Sequence, residues 1–176
     1  MDPFATLGLP RRYDLDEQEL KQHYRELQKA LHPDRHMTAV ASQRRVALGK
    51  AVEVNEAYRM LRDKLARAEA LLALVRGDAP VTNEAADPHL LMEVMELREE
   101  LSEAKHAKDS VGVQRLSARV RALQSSAYAA LTRGFTALAE PPSKDAITDL
   151  AALIARLKYY QRFLDEARVI EDEAQA

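Results

Sequence analysis

Cysteine is missing from all 176 residues, which excludes disulfides, thiol catalysis and thiolate ligation of a metal or cluster by the chain itself. Glycine is scarce, with only five, and no run of alternating β-branched residues suggests a strand. The apolar stretches fall far short of the roughly 20 residues that cross a bilayer, so no membrane segment is expected. Met1 to Asp16 carry an early acid and no apolar core, unlike a secretory signal or an arginine-rich transit peptide, and a cytoplasmic address is expected. A dominant charge is also lacking, since the formal net charge is −2. Residues 1–76 hold 14 Lys+Arg against 11 Asp+Glu, and residues 77–176 hold 12 against 17. Neither half is basic enough for nucleic acid, which needs a dense Lys/Arg face. The opposite signs of the halves point instead to different partners.

What fills the chain is helix-forming sequence, rich in alanine, leucine, glutamate, arginine and glutamine. Leu20, Tyr24, Leu27 and Leu31 recur at helical spacing, placing one apolar stripe on a helix that begins near Asp16. Pro33 ends it, because proline donates no backbone hydrogen bond and pushes His32 toward extended conformation. Ala47, Ala51, Val54, Tyr58, Leu61 and Leu65 form a second stripe on a helix expected to begin near Thr38 or Ala39. Facing stripes joined by a short polar turn make an antiparallel hairpin with His32, Pro33 and Asp34 at its tip. Leu65 to Val75 fits either a fourth short helix or an extension of the third. About 75 residues is marginal for an independent core, so Leu71, Leu72 and Leu74 are expected to pack partly against the second domain.

Periodicity stops at Gly77-Asp78-Ala79-Pro80, where turn formers cluster. This divides the chain into a first domain over 1–76, a linker over 77–86 and a second domain over 87–176. Asp87-Pro88 reads as an N-cap followed by proline at the first helical position. Leu90, Val94, Leu97, Leu101 and Ala104 then form one stripe. Val113, Leu116, Val120, Leu123, Ala127, Leu131, Phe135 and Leu138 form another over about 30 residues, or about 45 Å. After Glu140-Pro141-Pro142-Ser143, a last stripe runs through Leu150, Leu153, Leu157, Tyr160, Leu164 and Ala167. The expected fold is all-α, a helical hairpin followed by a three-helix bundle.

On the helix before His32, Lys21, Arg25 and Lys29 fall at about 100°, 140° and 180° from the apolar stripe, while Glu19, His23 and Glu26 take the other flank. On a generic helix this would be a solvated ladder. Beside a polar tip with no packing role, it reads as a ridge that steers an acidic partner, with Asp34 placed to accept a charge-assisted bond from an arginine on that partner. The rival reading, a metal site of His32, Asp34 and His36, lacks a helical register because Pro33 breaks it, and no phosphate loop or nucleophile constellation stands nearby.

Tyr24-Arg25-Glu26-Leu27 through Leu31-His32-Pro33-Asp34-Arg35, followed by Val54-Asn55-Glu56-Ala57-Tyr58-Arg59-Met60-Leu61, resembles the J-domain family, the co-chaperones of DnaK-type ATPases. Phe4-Ala5-Thr6-Leu7-Gly8-Leu9 looks like that family's short first helix. The resemblance implies that His32, Pro33 and Asp34 dock on the ATPase and trigger its nucleotide hydrolysis, with Lys21, Arg25, Lys29 and Arg35 supplying the electrostatic part of docking. The chemistry would occur in the partner, so this chain would be no enzyme and need no cofactor.

The second domain gives an independent clue. With Leu90, Val94, Leu97 and Leu101 inward, Leu91, Met95 and Met92 fall at about 100°, 140° and 200°, in the sector of Glu96, Glu99 and Glu103. Adaptable methionines rimmed by glutamates read as a protein-binding patch, unless a further helix covers them. Tyr159 falls near 200° from its own stripe and Phe163 is expected to be only partly inward. Leu91-Met92-Glu93-Val94-Met95-Glu96-Leu97-Arg98-Glu99-Glu100-Leu101 is similar to the scaffold-binding helix of the HscB type of J-protein, dedicated to iron–sulfur cluster assembly. That likeness, which extends to Asp2-Pro3-Phe4 and Leu65-Ala66-Arg67-Ala68-Glu69, implies that Leu91, Met92, Met95, Glu96, Glu99 and Glu103 contact the scaffold protein IscU. Tyr159 would stand where the family has an aromatic, and the ATPase would be HscA. Tyr159 replaces the more usual phenylalanine, Met95 stands where leucine is common, and the long second bundle helix has little likeness beyond its pattern. The lack of an N-terminal cysteine-rich module matches bacterial members. A general J-domain co-chaperone with an unrelated client is the alternative.

Overall fold

Asp2 opens the first of seven helices in the computed structural model, which describes residues 1–32, 40–77 and 88–175 and contains no strand among them. The chain divides into two units, Met1–Gly77 and Asp78–Ala176. Past Gly77, the linker expected over 77–86 lies outside the described residues, as does Asp87.

In the first unit, α1 (Pro3–Leu7) begins where the Asp2 carboxylate accepts from the backbone N–H of Phe4 and Ala5, and ends at Gly8, whose φ of 66° suits a residue without Cβ. α2 (Glu17–Leu31) is capped by Asp16, and the N–H groups of Glu19 and Gln18 hold the Asp16 carboxyl below the usual carboxylate range. It stops at Leu31, with His32 extended at φ −60° and ψ 133°, the conformation that a following proline imposes. α3 (Ala41–Arg62) starts after Val40, later than the expected Thr38 or Ala39, which lie outside the described residues.

Asp63 settles the choice left open for the next segment. It is extended at ψ 123°, and its carboxylate accepts from Leu65 and Ala66 N–H, so α4 (Lys64–Arg76) is a separate helix and Leu65 does not belong to the α3 stripe. Phe4, Leu7, Leu20, Val54, Ala57, Leu61, Ala68 and Leu71 form the core of this unit. Directional bonds join its helices as well. Tyr24 stacks on Tyr58 with centroids 4.0 Å apart and donates its hydroxyl to Asn55 Oδ1 at 2.9 Å. His23 Nδ1 lies 2.9 Å from the Leu7 carbonyl. The Arg67 guanidinium is buried, donating to the carbonyls of Leu61 (2.6 Å) and Tyr13 (2.9 Å) with the Tyr13 ring alongside. Desolvation pushes its pKa down. The two carbonyls supply the hydrogen bonds without which a buried cation is costly.

The second unit is a three-helix bundle of α5 (Pro88–His106), α6 (Ser110–Thr136) and α7 (Lys144–Gln175). Its core holds Leu97 and Leu101 from α5, Val113, Leu116, Val120, Ala127 and Leu131 from α6, and Leu150, Ile154, Leu157, Tyr160, Phe163 and Ala167 from α7. Phe163 is 2% exposed, fully inward rather than partly so, and Ile154 joins the buried face in addition to the stripe read from the sequence. Both differences have one cause. α7 packs against α5 as well as α6, so its buried arc is wider than a single stripe. Leu138 lies beyond the end of α6 and is not helical.

Candidate functional site

Two surfaces carry the residues singled out by sequence, one on each unit. On the first, Lys21, Arg25 and Lys29 are all exposed along α2, and Lys29 lies in the last turn, where a cation complements the helix dipole. The ridge leads to His32, which is exposed at the end of α2. Pro33, Asp34, Arg35 and His36 lie outside the described residues. Among the described residues, no group of three His, Cys, Asp or Glu side chains is gathered as a metal ion would require. The Tyr24–Tyr58 stack and the Tyr24–Asn55 bond brace α2 against α3. Asn55 and Tyr58 come from the Asn-Glu-Ala-Tyr stretch, so the motif is part of the hairpin's brace.

On the second surface, Leu91, Met92 and Met95 are 48%, 62% and 69% exposed, and Glu96, Glu99 and Glu103 are exposed beside them. No further helix of the bundle covers them among the described residues. Three large apolar side chains are thus exposed together beside three glutamates, with the exposed Arg98 on the Leu91 side of the cluster. Tyr159 is half-buried, more so than its outward wheel position suggests, and reaches α5, where its hydroxyl donates to the Val94 carbonyl at 3.0 Å. The aromatic ring of α7 is thereby joined to the helix that carries the methionines.

Three residues at this contact were not singled out from sequence. The buried Tyr160 donates to Glu93 Oε1 at 2.8 Å, and Arg156 Nε lies 4.0 Å from Glu93 Oε2. Burial first, and then the hydrogen bond to Glu93, push the Tyr160 pKa far up and keep the phenol protonated as a donor. Burial likewise raises that of Tyr159. A glutamate at an inward position of the α5 stripe, one residue before Val94, was the signal available in the sequence.

Comparison with known proteins gives each unit a family. Residues 2–69 match the DnaJ domain family model, and residues 86–168 match the HSCB C-terminal oligomerisation domain. The chain is 33% identical to a co-chaperone protein HscB homolog of Mannheimia succiniciproducens, over 98% of this chain and 96% of that protein. The chain belongs to the HscB family of J-domain co-chaperones. A second HscB homolog, from Vibrio vulnificus, is 33% identical over 98% of each chain. Among solved structures, chaperone HscB from Vibrio cholerae superposes with a TM-score of 0.79 at 33% identity, covering 99% of both chains. The human co-chaperone protein HscB, at 22% identity and a TM-score of 0.80 over 96% of this chain and 81% of that one, shares the fold. For an HscB-family chain the all-α architecture, a J-domain followed by the C-terminal helical domain, is the one expected from sequence. No helix among the described residues is long and apolar enough to cross a membrane.

Proposed function

We propose that this chain is a cytoplasmic adaptor that stimulates the ATPase of the DnaK-type chaperone HscA and delivers the scaffold protein IscU to it, assisting iron–sulfur cluster assembly and the maturation of iron–sulfur proteins. The observation that carries the reading is the exposed Leu91, Met92 and Met95 cluster rimmed by Glu96, Glu99 and Glu103, which matches in residue type and helix position what the family resemblance assigns to IscU. Tyr159 borders that face. The ATPase half rests on His32 at the end of α2 and on Pro33 and Asp34, which follow it in sequence, with Lys21, Arg25, Lys29 and Arg35 steering an acidic surface of the chaperone toward them. Docking of this kind weakens with salt, because exposed charges are screened over about 8 Å at physiological ionic strength. The chain itself performs no chemical step and needs no cofactor. Holding client and ATPase on one polypeptide raises the effective concentration of each for the other without any new contact between them.

The test is HscA turnover measured with this protein, with IscU and with both. Turnover under both additions is expected to exceed the sum of the separate effects. A merely additive response overturns client delivery, and no response to this protein overturns the ATPase role. Stimulation without capture of IscU in a pull-down would instead favour a general J-domain co-chaperone with an unrelated client.

A further inference from the structure

The front half of α5 is weakly anchored by apolar packing. Its buried residues are Leu97 and Leu101. Before Leu97, Leu90 and Val94 are only half-buried, while Leu91, Met92 and Met95 point into solvent. A rotation of this segment by about 100°, one residue of helix, would carry Leu90 and Val94 toward solvent, turn Leu91 and Met95 inward and move Met92 from the outward face to its flank. Apolar contact alone opposes that rotation poorly, because such contact is non-directional and the displaced side chains are of similar size.

Hydrogen bonds are directional, and they occur where the packing is thin. Tyr160 Oη donates to Glu93 at 2.8 Å, and Tyr159 Oη donates to the carbonyl of the next residue, Val94, at 3.0 Å. Both donors come from rings fixed on α7. Tyr160 is 2% exposed, and the Tyr159 ring lies edge-on to Tyr160 and tilted against the buried Phe163, with centroids 6.2 and 6.5 Å apart. Arg156, one turn earlier on α7, flanks the same carboxylate. Two adjacent donors on a rigid helix thus grip two adjacent residues of a lightly packed one.

We propose that Tyr160, acting through Glu93 and backed by Tyr159, is a positioning residue that fixes the rotation of α5 and so holds Leu91, Met92 and Met95 outward for IscU. This deepens the reading of that face as the IscU surface and rests on it. Tyr160→Phe and Tyr159→Phe/Tyr160→Phe keep the rings and remove the hydroxyls. Glu93→Gln keeps an acceptor for Tyr160, whereas Glu93→Ala removes it.

Hydrogen exchange of the full chain reads the clamp directly. In the double phenylalanine variant and in Glu93→Ala, amides of residues 90–97 are expected to exchange about tenfold faster, while those of 116–131 in α6 stay unchanged. IscU titration is expected to give a roughly fivefold weaker Kd for the same variants, because the binding face is no longer preorganised, and near wild-type affinity for Glu93→Gln. Unchanged exchange at 90–97, equal acceleration in α6, or a Glu93→Gln variant as defective as Glu93→Ala would each overturn the clamp. Met92→Ala/Met95→Ala separates the two layers. If that variant binds IscU normally, the IscU reading fails and the exchange arm still decides whether the tyrosines hold α5.

Discussion

The two units are held together in different ways, and each way suits its surface. In the first, the apolar core is supplemented by bonds of fixed direction: the Tyr24–Tyr58 stack, Tyr24 to Asn55, His23 to the Leu7 carbonyl, and the buried Arg67 bridging two carbonyls. In the second, the long α6 and α7 bury apolar residues turn after turn, from Val113 to Leu131 and from Leu150 to Ile170. A domain of about 75 residues buries too small a fraction of its surface to rely on area alone. In the bundle most of the buried apolar residues come from α6 and α7, while α5 is lightly packed and keeps three large apolar side chains in solvent. The first unit braces α2 and α3 by directed contacts, and the second carries its exposed apolar face on its most lightly packed helix.

Asp34→Asn would test the first half of that contrast most severely. The substitution keeps the size of the side chain and removes the charge that a partner arginine would meet. Stimulation of HscA is expected to fall to the unstimulated rate, while the melting temperature and IscU affinity stay unchanged. Stimulation that survives would dissociate the tip from ATPase activation. Arg67→Ala probes the unit's cohesion instead. It leaves the carbonyls of Leu61 and Tyr13 without their buried donor, at an expected cost of about 3 kcal/mol in denaturant unfolding of the first unit. A loss below about 0.5 kcal/mol, the range of an ordinary surface change, would mean that area holds this unit too. Met92→Ala/Met95→Ala probes the bundle, with IscU affinity expected to fall about tenfold, or about 1.4 kcal/mol. Stability should move by no more than about 0.5 kcal/mol, because both side chains are exposed. Unfolding of the bundle would identify them as structural.

Local rules made most of the helices legible. Asp16 and Leu31 bound α2 because capping and the pre-proline effect act within a few residues, and the outward position of Met92 and Met95 comes from helical period alone. The missing parts depend on contacts distant in sequence. Arg67 could not be read as a buried bridge, since one of its partners, Tyr13, is 54 positions away. Glu93 and Tyr160 looked unrelated because they are 67 positions apart. A single-stripe reading puts Phe163 too far outward because it assumes a single neighbour, whereas α7 has two. By contrast, the α3–α4 break at Asp63 was available locally. An N-cap aspartate interrupts an otherwise continuous apolar pattern there, and its carboxylate competes with helical continuation.

The same substitution made at two glycines gives the smallest and sharpest form of the comparison. Gly49 lies within α3, exposed, and a Cβ added there meets nothing within 4 Å. Gly49→Ala should therefore stabilise the first unit by about 0.5–1 kcal/mol, through helix propensity and a less disordered unfolded chain. Gly134 lies in α6, where an added Cβ would sit 2.8 Å from Leu150 Cδ2. Leu150 is 2% exposed, so its methyl must shift against the buried core rather than into solvent. The propensity gain is the same there, but overpacking of about 1–3 kcal/mol opposes it, and a net loss of about 1 kcal/mol is expected. Denaturant midpoints of the two variants should shift in opposite directions. A stabilising Gly134→Ala would mean that α6 and α7 can separate by a few tenths of an ångström without cost, and that the bundle core is less tightly fitted than its buried side chains indicate.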